Sequence, residues 1–403
     1  MKLRTLALAL TALGLGFAGP SQADGFSDDV IRIGFITDLS GVYADVDGKA
    51  GADVIQRAID EIGGEINGTK VEFLVADHQM KADIASARAR EWFDQQGLDM
   101  LVGGTNSATG LAMAAVAAEK KKPFIAVGAG TTQLTNEQCT PYTVHYAYNT
   151  EALARGTGLA VVEEGGKTWF FLTADYAFGH SLEQNTAKVV KEAGGKVLGE
   201  VRAPLATADF SSFLLQAQSS GAQILGLANA GGDTINSIKT AKEFGVTDSM
   251  KLAGLLMFVS DIHALGLENA GGLYLTAPWY WNQDDEAKAW SQKFIDRNGR
   301  APTWVQAGDY SAARTYLEAV KATGTDDGDT IMKYLKSHKI NDMFVKGGYV
   351  RADGLMMHDM KLVQVKQPNE STAPWDYYKT LRNLPAESVY GPLSNSTCAL
   401  TKS

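Results

Sequence analysis

The strongest constraint on the fold is a repeated alternation of short apolar runs with longer amphipathic stretches. The runs at 31–36, 71–76, 98–102 and 123–127 have the length and composition of buried strands, and a segment with helical periodicity follows each of the first three. Because parallel strands need a long crossover connection, this alternation predicts an α/β fold in which helices cover parallel sheets.

The alternation restarts after residue 150, which indicates two α/β units in tandem. The strand-like runs of the second unit lie at 168–172, 196–201, 223–228 and 251–255. A chain of 403 residues is also too long for one hydrophobic core. The later helical segments, near 286–297, 307–322 and 330–337, are too few for a third domain. We therefore expect them to complete the first lobe.

The first 23 residues have the organisation of a secretory signal peptide. A basic start at 1–4 precedes an apolar run at 6–18, which is too short to span a bilayer. Small residues at 21–23 form a cleavage site. We expect an exported periplasmic protein whose mature chain begins near Asp24.

The net charge of the chain limits the classes of partner, and its cysteines suggest a cross-link. The chain carries 37 Lys+Arg and 46 Asp+Glu, a net charge of −9, which argues against a nucleic-acid partner. Cys139 and Cys398 are the two cysteines, and in an exported chain they suggest a disulfide, with two unpaired thiols as the alternative. No motif predicts a metal site or a cofactor, and a lone histidine such as His145 is more often a satisfied polar group than a catalyst.

Two glycine-rich loops follow strands of the first unit, at 103–107 and 128–132. Ligands gather at the carboxyl ends of strands in open α/β sheets. Glycines let the main chain approach a ligand, and N–H groups at a helix N-terminus attract anions. Ordinary turn and N-cap chemistry is the alternative for either loop alone. The two loops together favour a small anionic ligand.

Four segments follow strands of the second unit and place aromatic and methionine side chains at strand ends: 175–179, 229–233, 256–258 and 279–281. Such side chains at a cleft suit a flat apolar ligand, because aromatic rings bury large area and stack. For 279–281, packing between the lobes is an equal alternative.

The order and spacing of these segments resemble solute-binding proteins of ABC importers, of the leucine/isoleucine/valine-binding type. The segments that carry the resemblance are 33–35, 39–41, 51–52, Asp77, 103–107, 128–135, 175–179 and the run after 210–211. The resemblance covers essentially the whole mature chain. It implies a non-enzymatic monomer that delivers its ligand to an ABC permease and ATPase complex in the inner membrane.

The resemblance also implies a type I periplasmic binding protein fold, with two Rossmann-like lobes joined by three crossovers. The crossovers are expected near 144–150, 276–282 and 346–352. The first lobe is then 24–145 plus 280–347, and the second lobe is 146–279 plus 348–366. Residues 367–403 are expected to form a C-terminal tail that returns to the first lobe.

The expected substrate follows from a departure from this family. Members that bind amino acids hold the ammonium group with an acidic side chain after the last strand of the second lobe, whereas residues 255–258 here are Leu-Leu-Met-Phe. Burying an unpaired ammonium group is costly. Segments 128–132, 139–142 and 174–179 resemble a branch that binds aromatic acids. We expect a benzoate or cinnamate derivative, with a branched-chain or other amino acid as the alternative if Asp261 substitutes.

The expected ligand-binding residues fall into three groups. Those that would hold the carboxylate are Ser107, Gly128, Ala129 and Thr131. Those that would add polar contacts are Asn106 and Asn229. Those that would enclose the apolar part are Tyr43, Tyr176, Phe178, Met257, Phe258 and Tyr280. Two functions from other classes remain as alternatives, an α/β hydrolase and a soluble sensor that reports its ligand to a receptor.

Overall fold

The computed structural model describes residues 25–402 of the chain. The predicted signal peptide, residues 1–23, lies outside the described residues. The described chain forms two α/β lobes, each built on a mainly parallel sheet. This confirms the predicted fold class.

The first lobe contains a six-stranded sheet whose order is β2-β3-β1-β4-β5-β6. Its strands are β1 (Val30–Thr37), β2 (Glu65–Ile66), β3 (Thr69–Asp77), β4 (Met100–Gly103), β5 (Phe124–Ala126) and β6 (Thr143–His145). The connecting helices are α1 (Gly48–Glu61), α2 (Ala82–Gln95) and α3 (Ser107–Lys120). All pairs are parallel except β2 with β3. The chain reverses direction across the sheet between β1 and β4, so a crevice opens at their carboxyl ends.

The second lobe contains a four-stranded parallel sheet whose order is β10-β9-β7-β8. Its strands are β7 (Thr168–Ala174), β8 (Lys196–Ala203), β9 (Ile224–Ala228) and β10 (Lys251–Gly254). Its helices are α4 (Thr150–Leu153), α5 (Leu159–Glu163), α6 (Ala177–Glu192), α7 (Ser211–Ser219), α8 (Gly232–Glu243), α9 (Val259–Leu265) and α10 (Leu267–Ala270). The corresponding crevice lies between β7 and β9.

The helix predicted from residue 150 contains a π-helical turn, Ala154–Gly158, between α4 and α5. Gly156 lies in this turn directly against Thr276, since a Cβ at this glycine would meet Thr276 Oγ1 at 2.1 Å. The absence of a side chain here lets the start of the second lobe pack closely on the strand that leads out of it.

After β11 (Tyr274–Ala277), the chain returns to the first lobe. Three helices follow, α11 (Asp285–Asn298), α12 (Trp304–Thr323) and α13 (Gly328–Ser337). Helix α12 is buried along most of its length and packs against α1 and β4. Its apolar residues therefore belong to the core of the first lobe.

The last strands are β12 (Ile340–Asn341), β13 (Lys346–Val350), β14 (Met356–Met357), β15 (Met360–Val365) and β16 (Tyr378–Leu384). Strands β13 and β14 pair around the predicted turn at 352–354. Strand β15 lies between β11 and β16, antiparallel to both. The segment expected as a tail, 367–403, thus includes a strand. Its five central residues are exposed, so the sequence shows no apolar alternation.

The end of the described chain is tied to the first lobe. A short helix, α14 (Ala386–Val389), follows β16, and Cys398 then forms a disulfide with Cys139. The two Cα atoms lie 5.6 Å apart, and Cys398 is fully buried. The predicted disulfide is confirmed. Between residues 25 and 402, no helix combines the length and the apolar character that crossing a membrane requires.

Candidate ligand-binding site between the lobes

A small cavity lies where the crevices of the two sheets face each other. Its lining residues are Tyr43, Val46, Thr105, Ser107 and Gly128 from the first lobe, Tyr176, Phe178, Ala230, Leu256 and Phe258 from the second, and Tyr148 from the connection between them. The cavity is narrow: the centre of a water-sized sphere can occupy only about 10 Å³ of it, which is room for about one water molecule. A ligand can therefore enter only when the lobes or the lining side chains move apart.

One side of the cavity gathers hydrogen-bond donors. The main-chain N–H groups of Gly130 and Thr131 point at Ser107 Oγ, at 3.3 and 3.2 Å. Since this oxygen accepts both bonds, its own hydrogen is left to donate elsewhere. Ser107 is also the first residue of α3, where the helix dipole favours negative charge. The Ser107 hydroxyl is therefore an oriented donor at a helix N-terminus, a position that suits an oxyanion.

The opposite walls are aromatic and come from both lobes. The hydroxyl groups of Tyr43 and Tyr176 form a hydrogen bond of 2.7 Å across the cleft. Burial raises the pKa of both phenols above their ordinary value, so both remain neutral. Phe178 packs near Tyr176, with ring centroids 6.1 Å apart. The ring of Phe258 packs against that of Trp304, with ring centroids 4.8 Å apart. These walls suit a flat apolar body.

Among residues 25–402, no aspartate or glutamate lines the cavity. Asp261, which could have provided an ammonium partner, instead accepts the N–H of Phe258 at 3.0 Å and caps the start of α9. Burial raises its pKa to about 7. Asp233 lies in the first turn of α8 and accepts the N–H of Ala206 at 3.1 Å. Both carboxyl groups therefore serve main-chain donors of their own lobe.

A buried acidic pair lies behind the cavity. The Thr105 hydroxyl contacts both Asp47 Oδ2 and the Thr37 hydroxyl. Asp47 and Asp309 are both fully buried, and burial together with the neighbouring Asp47 holds the pKa of Asp309 well above its usual range. Burial therefore favours the protonated form of Asp309, whose two carboxyl oxygens have no hydrogen-bond partner within the described chain. Gly51 makes room for the pair, because a Cβ there would lie 2.0 Å from Asp47 Oδ1.

Half of the residues predicted for the site line this cavity. They are Tyr43, Ser107, Gly128, Tyr176, Phe178 and Phe258. Ala129 and Thr131 lie fully buried in the loop beside it, where the Thr131 hydroxyl accepts the N–H of Gln133. Neither residue lines the cavity, and the main-chain N–H of Thr131 donates to Ser107 Oγ.

Four predicted residues are occupied elsewhere. Asn106 caps α3 by accepting the N–H groups of residues 108 and 109. Asn229 is buried and bonds to hydroxyl groups of α8 at 2.7 and 3.0 Å. Met257 packs into the core of the second lobe. Tyr280 belongs to the same core and donates to the carbonyl of Trp375. Each is a strand-end residue whose side chain points away from the cleft.

Five lining residues were not predicted. They are Val46, Thr105, Tyr148, Ala230 and Leu256. Thr105, Ala230 and Leu256 fall within loops that the sequence does single out, so only the side-chain direction was missing. Val46 and Tyr148 carry no local signal, because one precedes a helix and the other lies in a crossover.

Comparison with known proteins gives one family and several relatives. Residues 30–372 match a family described as periplasmic binding protein. A relative, Leu/Ile/Val-binding protein homolog 6 of Brucella melitensis, is 26% identical over 333 residues, which are 79% of this chain and 82% of the relative.

Several solved structures have a fold similar to that of this chain. A periplasmic binding protein from Burkholderia mallei is 61% identical, with a TM-score of 0.92 over 93% of this chain and 100% of that one. A branched chain amino acid ABC transporter periplasmic ligand-binding protein from Burkholderia xenovorans is 37% identical, with a TM-score of 0.81 over 92% and 99%. A solute binding protein from Rhodopseudomonas palustris, in complex with 3,4-dihydroxy benzoic acid, is 22% identical, with a TM-score of 0.80 over 89% and 98%, and shares the fold.

Proposed function

The chain belongs to the periplasmic binding protein family, and on that premise we propose that it captures a small aromatic carboxylate between its lobes for an ABC importer. The observation that carries the proposal is the composition of the cavity. The Ser107 hydroxyl, whose oxygen is held by two main-chain N–H groups, lies on one side of it, aromatic rings form other walls, and no acidic side chain lines it within the described chain.

The donors define the place of the carboxylate group. In the proposed complex, Ser107 donates its hydroxyl to the carboxylate, while the N–H groups of Gly130 and Thr131 hold Ser107 Oγ and orient that hydroxyl. Hydrogen bonds to an ionised group are about twice as strong as neutral ones. The stronger hydrogen bonds to the ionised carboxylate offset the hydration free energy that the anion loses when it enters the cleft.

The rings define the place of the apolar body. Tyr43, Tyr148, Tyr176, Phe178 and Phe258 provide flat faces on several sides of a narrow space. Aromatic pairs contribute about 0.5–1.5 kcal/mol beyond the area that they bury. A benzoate or cinnamate derivative would use both the donors and the rings.

A branched-chain or other amino acid is the competing ligand, and the relative from Burkholderia xenovorans gives a reason to test it. An amino acid would place its ammonium group beside the same donors. The second lobe presents Leu256 and Phe258 at this point, and Asp261 is engaged as a helix cap. An unpaired buried ammonium costs several kcal/mol, so the aromatic acid is favoured.

The catalytic alternative, a hydrolase, lacks support at this site. Ser107 Oγ is bonded to main-chain N–H groups, and within residues 25–402 no side-chain base is bonded to it. A serine nucleophile needs such a base. Binding is therefore the chemistry that the cavity favours.

In this proposal, the protein works as a periplasmic monomer that delivers its ligand to a permease and ATPase complex. The lobes, 24–145 with 280–347 and 146–279 with 348–366, close by rotation about the three connecting segments. The hydrogen bond between Tyr43 and Tyr176 joins the lobes only when they are closed.

The test is calorimetric titration of the purified, refolded protein with benzoate, 4-hydroxybenzoate, cinnamate, leucine, isoleucine and valine. We expect at least one aromatic acid to bind at least ten-fold more tightly than any of the amino acids. Ser107→Ala should weaken aromatic-acid binding by about ten-fold or more, because a hydrogen bond to a charged group contributes about 1.5–3 kcal/mol. Ser212→Ala, at an exposed position of α7, is the matched control. Tight binding of leucine or valine without any aromatic acid would overturn the substrate proposal.

A further inference from the structure

Two residues of the first crossover hold the loop that carries the proposed anion site. His145 is the last residue of β6, and its Nε2 lies 2.7 Å from the carbonyl oxygen of Ala129. Three residues later, the Tyr148 hydroxyl donates to the carbonyl of Gly128 at 3.0 Å. Both side chains are buried. The two consecutive peptide groups on either side of Ala129 are therefore held from the same segment.

The geometry of the peptide group links the hydrogen bond of His145 to the direction of the Gly130 N–H. In a trans peptide, the C=O and N–H point in opposite directions. The carbonyl of Ala129 and the N–H of Gly130 belong to one peptide group. When His145 holds the carbonyl on one side, the N–H must point to the other side, where it meets Ser107 Oγ.

The protonation state of His145 follows from its surroundings. A carbonyl oxygen can only accept, so Nε2 carries the hydrogen. Burial lowers the pKa of His145 to about 4, which keeps the ring neutral near pH 7. Its Nδ1 has no partner within the described chain. His145 therefore contributes a directed N–H donor and no net charge.

The main chain of His145 is anchored as well. Its N–H donates to the carbonyl of Gly354 at 2.9 Å, and the residue forms a parallel bridge with Leu355, in the segment that follows the third expected crossover. The imidazole thus starts from a backbone position that two chain segments define. Such support limits the directions in which the ring can point.

We propose that His145 is a positioning residue for ligand capture: its Nε2–H aligns the Ala129–Gly130 peptide so that the Gly130 N–H holds Ser107 Oγ and the Ser107 hydroxyl donates to the ligand carboxylate. This inference rests on the proposed function, because it needs a carboxylate at this loop. It assigns to the crossover a role in anion recognition in addition to joining the lobes. His145 itself does not line the cavity.

The experiment compares His145→Leu with His145→Gln. Gln keeps an N–H donor at a similar reach, and Leu removes it. For each variant, the dissociation constants of benzoate and of the uncharged analogue benzamide are measured by competition calorimetry. We expect His145→Leu to weaken benzoate at least ten-fold and benzamide less than three-fold, whereas His145→Gln stays within about three-fold of the original protein for both. A merely structural role would weaken both ligands equally.

The outcomes separate this inference from the proposed function. If the original protein binds leucine instead of benzoate, leucine replaces benzoate in the comparison, since it offers the same carboxylate, and its alcohol leucinol replaces benzamide. Binding of neither carboxylate overturns both the proposed function and this inference. Equal affinities of His145→Leu and the original protein for the carboxylate overturn this inference alone.

Circular dichroism of each variant checks its folding. If His145→Leu does not fold, Tyr148→Phe takes its place and is compared with His145→Gln. The Tyr148→Phe variant removes the hydrogen bond to the neighbouring carbonyl of Gly128. Then a selective loss of carboxylate affinity in Tyr148→Phe, with retention in His145→Gln, supports the inference. Equal loss for the carboxylate and the uncharged analogue in both variants contradicts it.

Discussion

Tyr43 and Tyr176 donate and accept one hydrogen bond of 2.7 Å between their hydroxyl groups, and they belong to different lobes. Tyr43 follows β1 of the first lobe, and Tyr176 directly precedes α6 of the second. Both rings line the cavity; Tyr43 is buried and Tyr176 is half-buried. The bond therefore closes the ligand site by joining its two halves.

Tyr43→Phe should weaken ligand binding about five-fold, because the closed form loses a hydrogen bond of about 1 kcal/mol. Titration calorimetry with the tightest ligand measures this change. Tyr176→Phe should have a similar effect, and the double variant should lose less than the sum of the two. Tyr349→Phe, on an exposed part of β13, is the control. Additive losses in the double variant would show that the two hydroxyl groups act independently.

Leu256→Asp should weaken aromatic-acid binding far more than Leu256→Asn, which has nearly the same size without the charge. Two like charges about 8 Å apart repel by roughly 2 kcal/mol at an effective dielectric constant near 20, which corresponds to about 30-fold in affinity. Measurements at pH 8 keep the new carboxyl group ionised. Benzamide should respond alike to both variants. Equal affinity of the Asp and Asn variants for benzoate would mean that no carboxylate lies near Leu256.

Cys139→Ser together with Cys398→Ser should lower the melting temperature without changing the affinity for the ligand. The disulfide joins residues 259 positions apart, and loss of a cross-link over a long loop typically costs about 2–5 kcal/mol. Neither cysteine lines the cavity. Scanning calorimetry of the variant and of the reduced original protein should agree. An unchanged melting temperature would show that the noncovalent contacts of the C-terminal segment already hold it in place.

Asp261→Asn should stabilise the protein increasingly as the pH rises from 5 to 8. Burial raises the pKa of Asp261 to about 7, against an ordinary value of 3.8, so folding favours its protonated form. That contribution is complete below about pH 4 and is lost as the pH rises through about 7. Asn is uncharged throughout and still accepts the N–H of Phe258.

Urea unfolding of the original protein and the Asn variant at pH 5, 6, 7 and 8 measures this difference. Asp83→Asn, at an exposed position in the first turn of α2, is the control for removing a carboxylate from the surface of the protein. A difference between Asp261→Asn and the original protein that stays constant over this range would contradict the assignment of the buried carboxyl group.

The acidic pair shows what sequence reasoning could not reach. Asp47 and Asp309 lie 262 positions apart in the chain, and neither stands in a motif. They meet because α12 packs against α1, a contact that depends on the return of the chain to the first lobe. Thr105, by contrast, lies in a loop that the sequence does identify, and only its direction was missing.

The segment 256–258 of the second lobe shows the same limit of sequence reasoning for single side chains. Residues 256–258 were identified as a cleft segment, yet Leu256 and Phe258 line the cavity while Met257 packs into the core. The chain bends at residues 255 and 256, beyond the end of β10, so strand alternation could not assign these side-chain directions in advance.

The sequence by itself determined the α/β class, the tandem lobes, the disulfide partners and the loops that bear Ser107, Gly128 and Phe178. These follow from periodicity, from cysteine content and from glycine position, which are local properties of a chain. Only the tertiary structure decided which strand-end side chains face the cleft, that Asp261 serves a helix, and that His145 holds the Ala129 carbonyl. Those outcomes depend on distances between residues remote in the chain, and packing of the lobes sets those distances.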